Sequence, residues 1–123
     1  MTSKQLALTA RSAAGDKKAE SPVILDIRKQ TNIAHFFVLV HGNSDRHVRA
    51  IADSVVEKLK EKKEKPLHVE GIREGAWILI DYGSVMVHVF HKERRKFYNL
   101  ERLWGDAKLV MEKKNERKSK AAR

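Results

Sequence analysis

Residues 36–41, Phe-Phe-Val-Leu-Val-His, are apolar at almost every position. A run of this length without period-two alternation predicts a strand buried on both faces, at the centre of a sheet. The periodicity then changes. Val48, Ile51, Ala52, Val55, Val56 and Leu59 recur at the spacing of one helix face, while Asp53, Glu57, Lys58, Lys60, Glu61 and Lys62 fill the other. Ser44 stands where a helix N-cap is wanted, and the pattern runs to about Lys63. A buried strand, the turn Gly42-Asn43-Ser44 and an amphipathic helix together predict a helix lying on a sheet.

Upstream, residues 4–19 form a weaker helical pattern. Thr2 and Gln5 have capping-box spacing, and Leu6, Ala10, Ala13 and Ala14 make a thin apolar stripe. Gly15 weakens this helix by about 1 kcal/mol. Ser21-Pro22 breaks the pattern and introduces a first strand, Val23 to Arg28. Downstream, Pro66 opens a short strand, Leu67 to Glu70, which stops at Gly71. Two longer strands, Ala76 to Tyr82 and Val85 to His91, flank Gly83-Ser84; glycine at the first turn position suits a type II′ hairpin. A last helix is expected over Glu93 to Trp104, with Phe97, Leu100, Leu103 and Trp104 on one face. The whole reads as one α/β domain over residues 1–106, a mixed central sheet with helices packed on it. Residues 107–123 read as a flexible basic tail.

A two-residue turn fixes the hairpin register and sorts its side chains. One face carries Ile78, Ile80, Tyr82, Val85, Val87 and Val89, an aliphatic set suited to the long helix. The other carries Trp77, Leu79, Asp81, Met86, His88 and Phe90. Aromatics and a methionine beside two polar groups are ordinary in a protein–protein hot spot. They also fit a face covered by another helix, with Asp81 and His88 as an internal pair.

Charge adds a second feature. The 123 residues carry a formal net charge of +10, and residues 107–123 hold seven Lys/Arg against two Glu. Lys113, Lys114, Arg117 and Lys118 are candidate contacts to RNA phosphates, salt-dependent and blind to sequence. With no cysteine there is no disulfide framework, thiolate metal site or cysteine nucleophile. No apolar run approaches the roughly 18 residues of a membrane span, and residues 1–15 lack a signal-peptide core. A cytoplasmic setting is the expectation.

Catalytic chemistry finds little support. His88 and His91 are three apart on a strand and point to opposite faces, while His35, His41, His47 and His68 lie in separate segments. No metal or cofactor is therefore expected. Gly42-Asn43-Ser44 lacks the lysine and glycine spacing of a P-loop, and there is no nucleophile-elbow pattern.

Five segments in order point further: Gly42-Asn43-Ser44-Asp45-Arg46-His47-Val48, Pro66-Leu67-His68-Val69-Glu70-Gly71, Trp77 to Gly83, Val87-His88-Val89-Phe90 and Tyr98-Asn99-Leu100-Glu101-Arg102-Leu103-Trp104. Over about residues 4–106 the chain resembles the ribosomal silencing factor family, also called the Iojap family. The resemblance implies a fold related to nucleotidyltransferases and binding to the large ribosomal subunit through ribosomal protein L-fourteen. It implies obstruction of subunit joining when nutrients are scarce, a role late in large-subunit biogenesis for some members, and frequent homodimers. The expected mechanism is steric, with Trp77, Leu79, Asp81, Met86, His88 and Phe90 as contacts and Tyr82 and Glu70 beside them. Two alternatives stand next to it. A nucleotidyltransferase-like enzyme needs paired carboxylates for two metal ions, and the hairpin supplies Asp81 alone. An RNA-binding assembly factor would use the tail with Arg94, Arg95 and Lys96, although stacking aromatics are not interleaved with these cations.

Overall fold

A computed structural model describes residues 1–94 and, by its backbone, the strand at 108–111. The expected helix from Glu93 to Trp104 lies, beyond residue 94, outside the described residues, as do Lys113, Lys114, Arg117 and Lys118. The elements run α1 (Ser3–Gly15), β1 (Glu20–Asp26), β2 (Phe36–Gly42), α2 (Asp45–Glu61), β3 (His68–Glu70), β4 (Trp77–Asp81), β5 (Val85–His91) and β6 (Lys108–Met111). The six strands form one mixed sheet in the order β3-β4-β5-β2-β1-β6.

β2 is central, as its unbroken apolar run implied. It pairs in parallel with β5 and antiparallel with β1, and its residues divide between two cores. Val38 and Val40 join Ile24, Ile78, Ile80, Val87 and Val89 beneath α1 and α2. Phe37 and Leu39 join Val23, Leu25, Ile27, Ala34 and Phe90 on the other side.

α1 and α2 lie on the first side. Thr2 Oγ1 accepts from the Gln5 N–H at 3.1 Å while Gln5 Oε1 accepts from the Thr2 N–H at 2.8 Å, so the capping box forms. Ala7, Ala10, Ala13 and Ala14 are buried, and side chains this small let α1 sit close against α2. Ser54 Oγ on α2 donates to the Ala13 carbonyl at 2.7 Å, tying the pair. α2 begins at Ser44, whose Oγ accepts from the His47 N–H at 3.0 Å, and it buries Val48, Ile51, Ala52, Val55 and Leu59.

The hairpin has the expected register, Trp77 opposite Phe90 through Asp81 opposite Met86. Its turn is tighter than a type II′ connection. Gly83 has φ +85°, and the Ser84 N–H donates to the Tyr82 carbonyl at 3.1 Å, closing a three-residue γ-turn.

β6 falls inside the segment read from sequence as tail. Lys108–Met111 pairs antiparallel with β1, so the sheet extends past residue 106. The apolar triplet Leu109-Val110-Met111 is a short strand signal, outweighed in the sequence by the cations that follow it.

Candidate functional site: a half-exposed aromatic face

Strand register assembles the site. Cross-strand partners share a face, so His68 and Glu70 of β3 lie on the same side as Asp81 and Leu79, and these on the same side as Met86 and His88. The face then continues through Phe37 and Leu39 of β2. Towards β3 it opens. Trp77, Leu79, Asp81 and Met86 are half-buried, and His68 and Glu70 are exposed. Towards β2 it closes, for His88 is 5% exposed and Phe90 1%.

The six hairpin residues therefore divide. Trp77, Leu79, Asp81 and Met86 are reachable by a partner, whereas His88 and Phe90 support them from within. Tyr82 must be removed from the neighbourhood. It is buried with the helix-side core, one position out of phase with Asp81 along an alternating strand. Burial pushes its phenol up to about 12, with Glu64 adding to the effect. Glu70 does neighbour the face, and its Oε2 lies 2.6 Å from His68 Nε2.

An Asp81–His88 pair does not form. Asp81 Oδ1 accepts from the Gly83 N–H at 2.7 Å, steadying the turn. His88 Nδ1 instead accepts from the Trp77 indole N–H at 3.1 Å. Burial alone lowers the His88 pKa to about 4, so the imidazole is neutral at neutral pH. The rings are closely set: Trp77 stacks on Phe90 with centroids 5.2 Å apart, and Phe37 meets His88 edge-on at 4.7 Å.

The approach to Trp77 is also fixed. Arg49 reaches from α2 to the preceding loop, donating from Nε to the Ile72 carbonyl at 2.9 Å and from Nη2 to the Arg73 carbonyl at 2.6 Å. Gly71 has φ +88°, and a Cβ there would lie 2.0 Å from the Trp77 carbonyl oxygen. Only glycine allows the loop to pass so close. Neither contact was visible as a motif, because each joins residues distant in sequence or depends on backbone geometry.

A second polar cluster surrounds the β2–α2 turn. Glu20 lies 3.2 Å from His41 Nε2 and accepts from Asn43 Nδ2 at 2.8 Å. The Asn43 bond, ahead of the smaller effects of His41 and Lys92, lowers the Glu20 pKa despite opposing desolvation. His47 accepts at Nδ1 from the Asn43 N–H at 3.0 Å and donates from Nε2 to the Lys17 carbonyl at 2.7 Å. Both ring nitrogens are thus spent joining the turn to the end of α1. Among the described residues no group of three His, Asp or Glu side chains is arranged to hold a metal ion. No helix among them is long and apolar enough to cross a membrane.

Comparison with known proteins extends the picture. A family model described as ribosomal silencing factor during starvation matches residues 1–123. The ribosomal silencing factor of Bacillus subtilis is 43% identical over 110 residues, covering 89% of this chain and 93% of that protein. A more distant relative, the mouse protein named mitochondrial assembly of ribosomal large subunit protein 1, is 28% identical over 91 residues, 72% of this chain and 40% of that one. The crystal structure of a Chromobacterium violaceum protein superposes with a TM-score of 0.83 at 32% identity, covering 94% of this chain and 98% of the other.

Proposed function

The chain belongs to the ribosomal silencing factor family, and on that premise we propose that it represses translation by docking on the large ribosomal subunit. The partner is ribosomal protein L-fourteen, bound through Trp77, Leu79, Asp81 and Met86, and the bulk of the bound domain obstructs the small subunit. The same binding serves late assembly of the large subunit, in line with the name of the mouse relative. The work is done in the cytoplasm, where subunits join.

One observation supports this reading most: Trp77 is half-buried yet held by a hydrogen bond and a ring stack. An aromatic side chain already fixed in one orientation loses little freedom on binding, which is the character of a hot-spot residue. Leu79 and Met86 extend the apolar area around it. Asp81 and Glu70 form a polar rim that sets orientation more than affinity.

The reading is of a protein that acts without catalysis. The hairpin carries the single carboxylate Asp81, and that group is engaged by the Gly83 N–H. Glu70, the next carboxylate on this face, lies 2.6 Å from His68 Nε2. Among the described residues no group of three His, Asp or Glu side chains could hold a metal ion, as two-metal nucleotidyl transfer requires.

Subunit joining followed by light scattering tests the proposal. Wild-type protein pre-bound to large subunits should slow the rise in scattering when small subunits are added, and Trp77→Ala at the same concentration should not. Joining at an unchanged rate with saturating wild-type protein would refute the steric mechanism.

A further inference from the structure

We propose that His88 is a positioning residue of the docking face, fixing the Trp77 side chain in the orientation presented to the ribosome. The inference rests on the docking role of Trp77 proposed above and assigns a function to a residue no partner can touch. With 5% of its surface exposed, His88 can influence binding only through its neighbours.

The chemistry of the contact is specific. An indole N–H can only donate, so it needs an acceptor, and His88 Nδ1 provides one at 3.1 Å. Nδ1 can accept only in the neutral tautomer that carries its proton on Nε2. Burial keeps the ring neutral well below neutral pH, so the acceptor is always present there. Nε2 itself is buried and finds no partner among the described residues. A buried N–H without an acceptor is unfavourable, and phenylalanine at this position would avoid it. What imidazole supplies and a phenyl ring does not is the acceptor for Trp77.

The surrounding rings make the hold rigid. Phe90 lies nearly parallel to His88, 8° between planes at 6.0 Å, and stacks on Trp77 at 5.2 Å. Phe37 meets the imidazole edge-on, with ring centroids 4.7 Å apart. His88 cannot swing away from Trp77 without displacing both. A half-buried tryptophan released from this hold would have to be ordered again on binding, lowering affinity by about five- to tenfold.

Two substitutions at 88 separate positioning from packing, because the two roles rank them oppositely. His88→Phe fills the space and can stack but offers no acceptor. His88→Asn leaves a smaller side chain but keeps an oxygen near the Nδ1 position. Affinity for purified large subunits would be measured for both, with the Trp77 indole proton resonance recorded in each free protein. Positioning is supported if His88→Phe binds about five- to tenfold more weakly with a shifted indole resonance, while His88→Asn stays within about threefold of wild type. It is overturned if His88→Phe binds as wild type does, or if His88→Asn is the weaker of the two. Trp77→Ala in the same series separates the premise from the inference. Wild-type binding by Trp77→Ala overturns the docking role and the inference with it, whereas weak binding by Trp77→Ala beside unimpaired His88→Phe overturns only the inference.

Discussion

Acidification should destabilise this protein through His88, and by an amount its burial fixes. The imidazole has a pKa of about 4 in the folded chain against an ordinary 6.5. Below about pH 6.5 the unfolded state takes up a proton that the folded state refuses, so stability falls as pH falls. His88 imposes no penalty above 6.5, and its full penalty is reached only near pH 4. A tenfold difference in proton affinity between the folded and unfolded states is worth about 1.4 kcal/mol. The loss across this window is therefore about 3 kcal/mol, a large part of the stability of a small domain. Glu20, whose pKa is lowered, also loses stabilisation on acidification, so wild type alone is not diagnostic. His88→Phe supplies the reference, since Glu20 remains in both proteins. Urea unfolding followed by fluorescence, at intervals from pH 7.5 to 4.5, gives the difference in unfolding free energy between the two. That difference should be flat above pH 7 and move against wild type by about 2–3 kcal/mol by pH 4.5. Parallel curves over the whole range would refute the desolvated, neutral histidine.

Other substitutions have equally definite outcomes. Phe90→Ala empties a fully buried site and should cost about 3–5 kcal/mol in denaturant unfolding, so its effect on ribosome binding reports folding rather than contact. Gly71→Ala places a methyl group against the Trp77 carbonyl at a positive φ and should cost at least about 2 kcal/mol, with weaker binding because β4 starts at that residue. Removing residues 112–123, with six Lys/Arg and two Glu, leaves β6 in place and should flatten the salt dependence of ribosome binding while preserving binding at low salt. Loss of binding at every salt concentration would show that those residues carry specificity.

The elements were readable where one periodicity dominated. The continuous apolar run of β2 gave a central strand, and the α2 stripe gave a helix on the sheet. Hairpin alternation gave the two faces, and the two-residue turn gave the register. β6 escaped because three apolar residues are a weak signal beside so many cations. The site was half legible. Alternation puts Trp77 and His88 on one face but says nothing about how deep that face lies, and depth is what separates Trp77 and Leu79 from His88 and Phe90. Depth follows from the sheet order, which seats β5 between β4 and β2 and flanks β4 on its outer side with the three-residue β3. The internal Asp81–His88 pair, which the sequence allowed only for a covered face, is absent for a related reason. Asp81 and His88 share a face, but the turn amide lies within reach of Asp81 and the indole within reach of His88, so each found a closer partner.

The most direct test of docking through the Trp77 face is co-sedimentation of purified large subunits with wild type and Trp77→Ala. Circular dichroism of the free proteins establishes that both are folded. Truncation of a central tryptophan at such a surface costs more than about 2 kcal/mol, so the variant should bind at least about tenfold more weakly. A folded Trp77→Ala protein that sediments with large subunits as tightly as wild type would contradict the account.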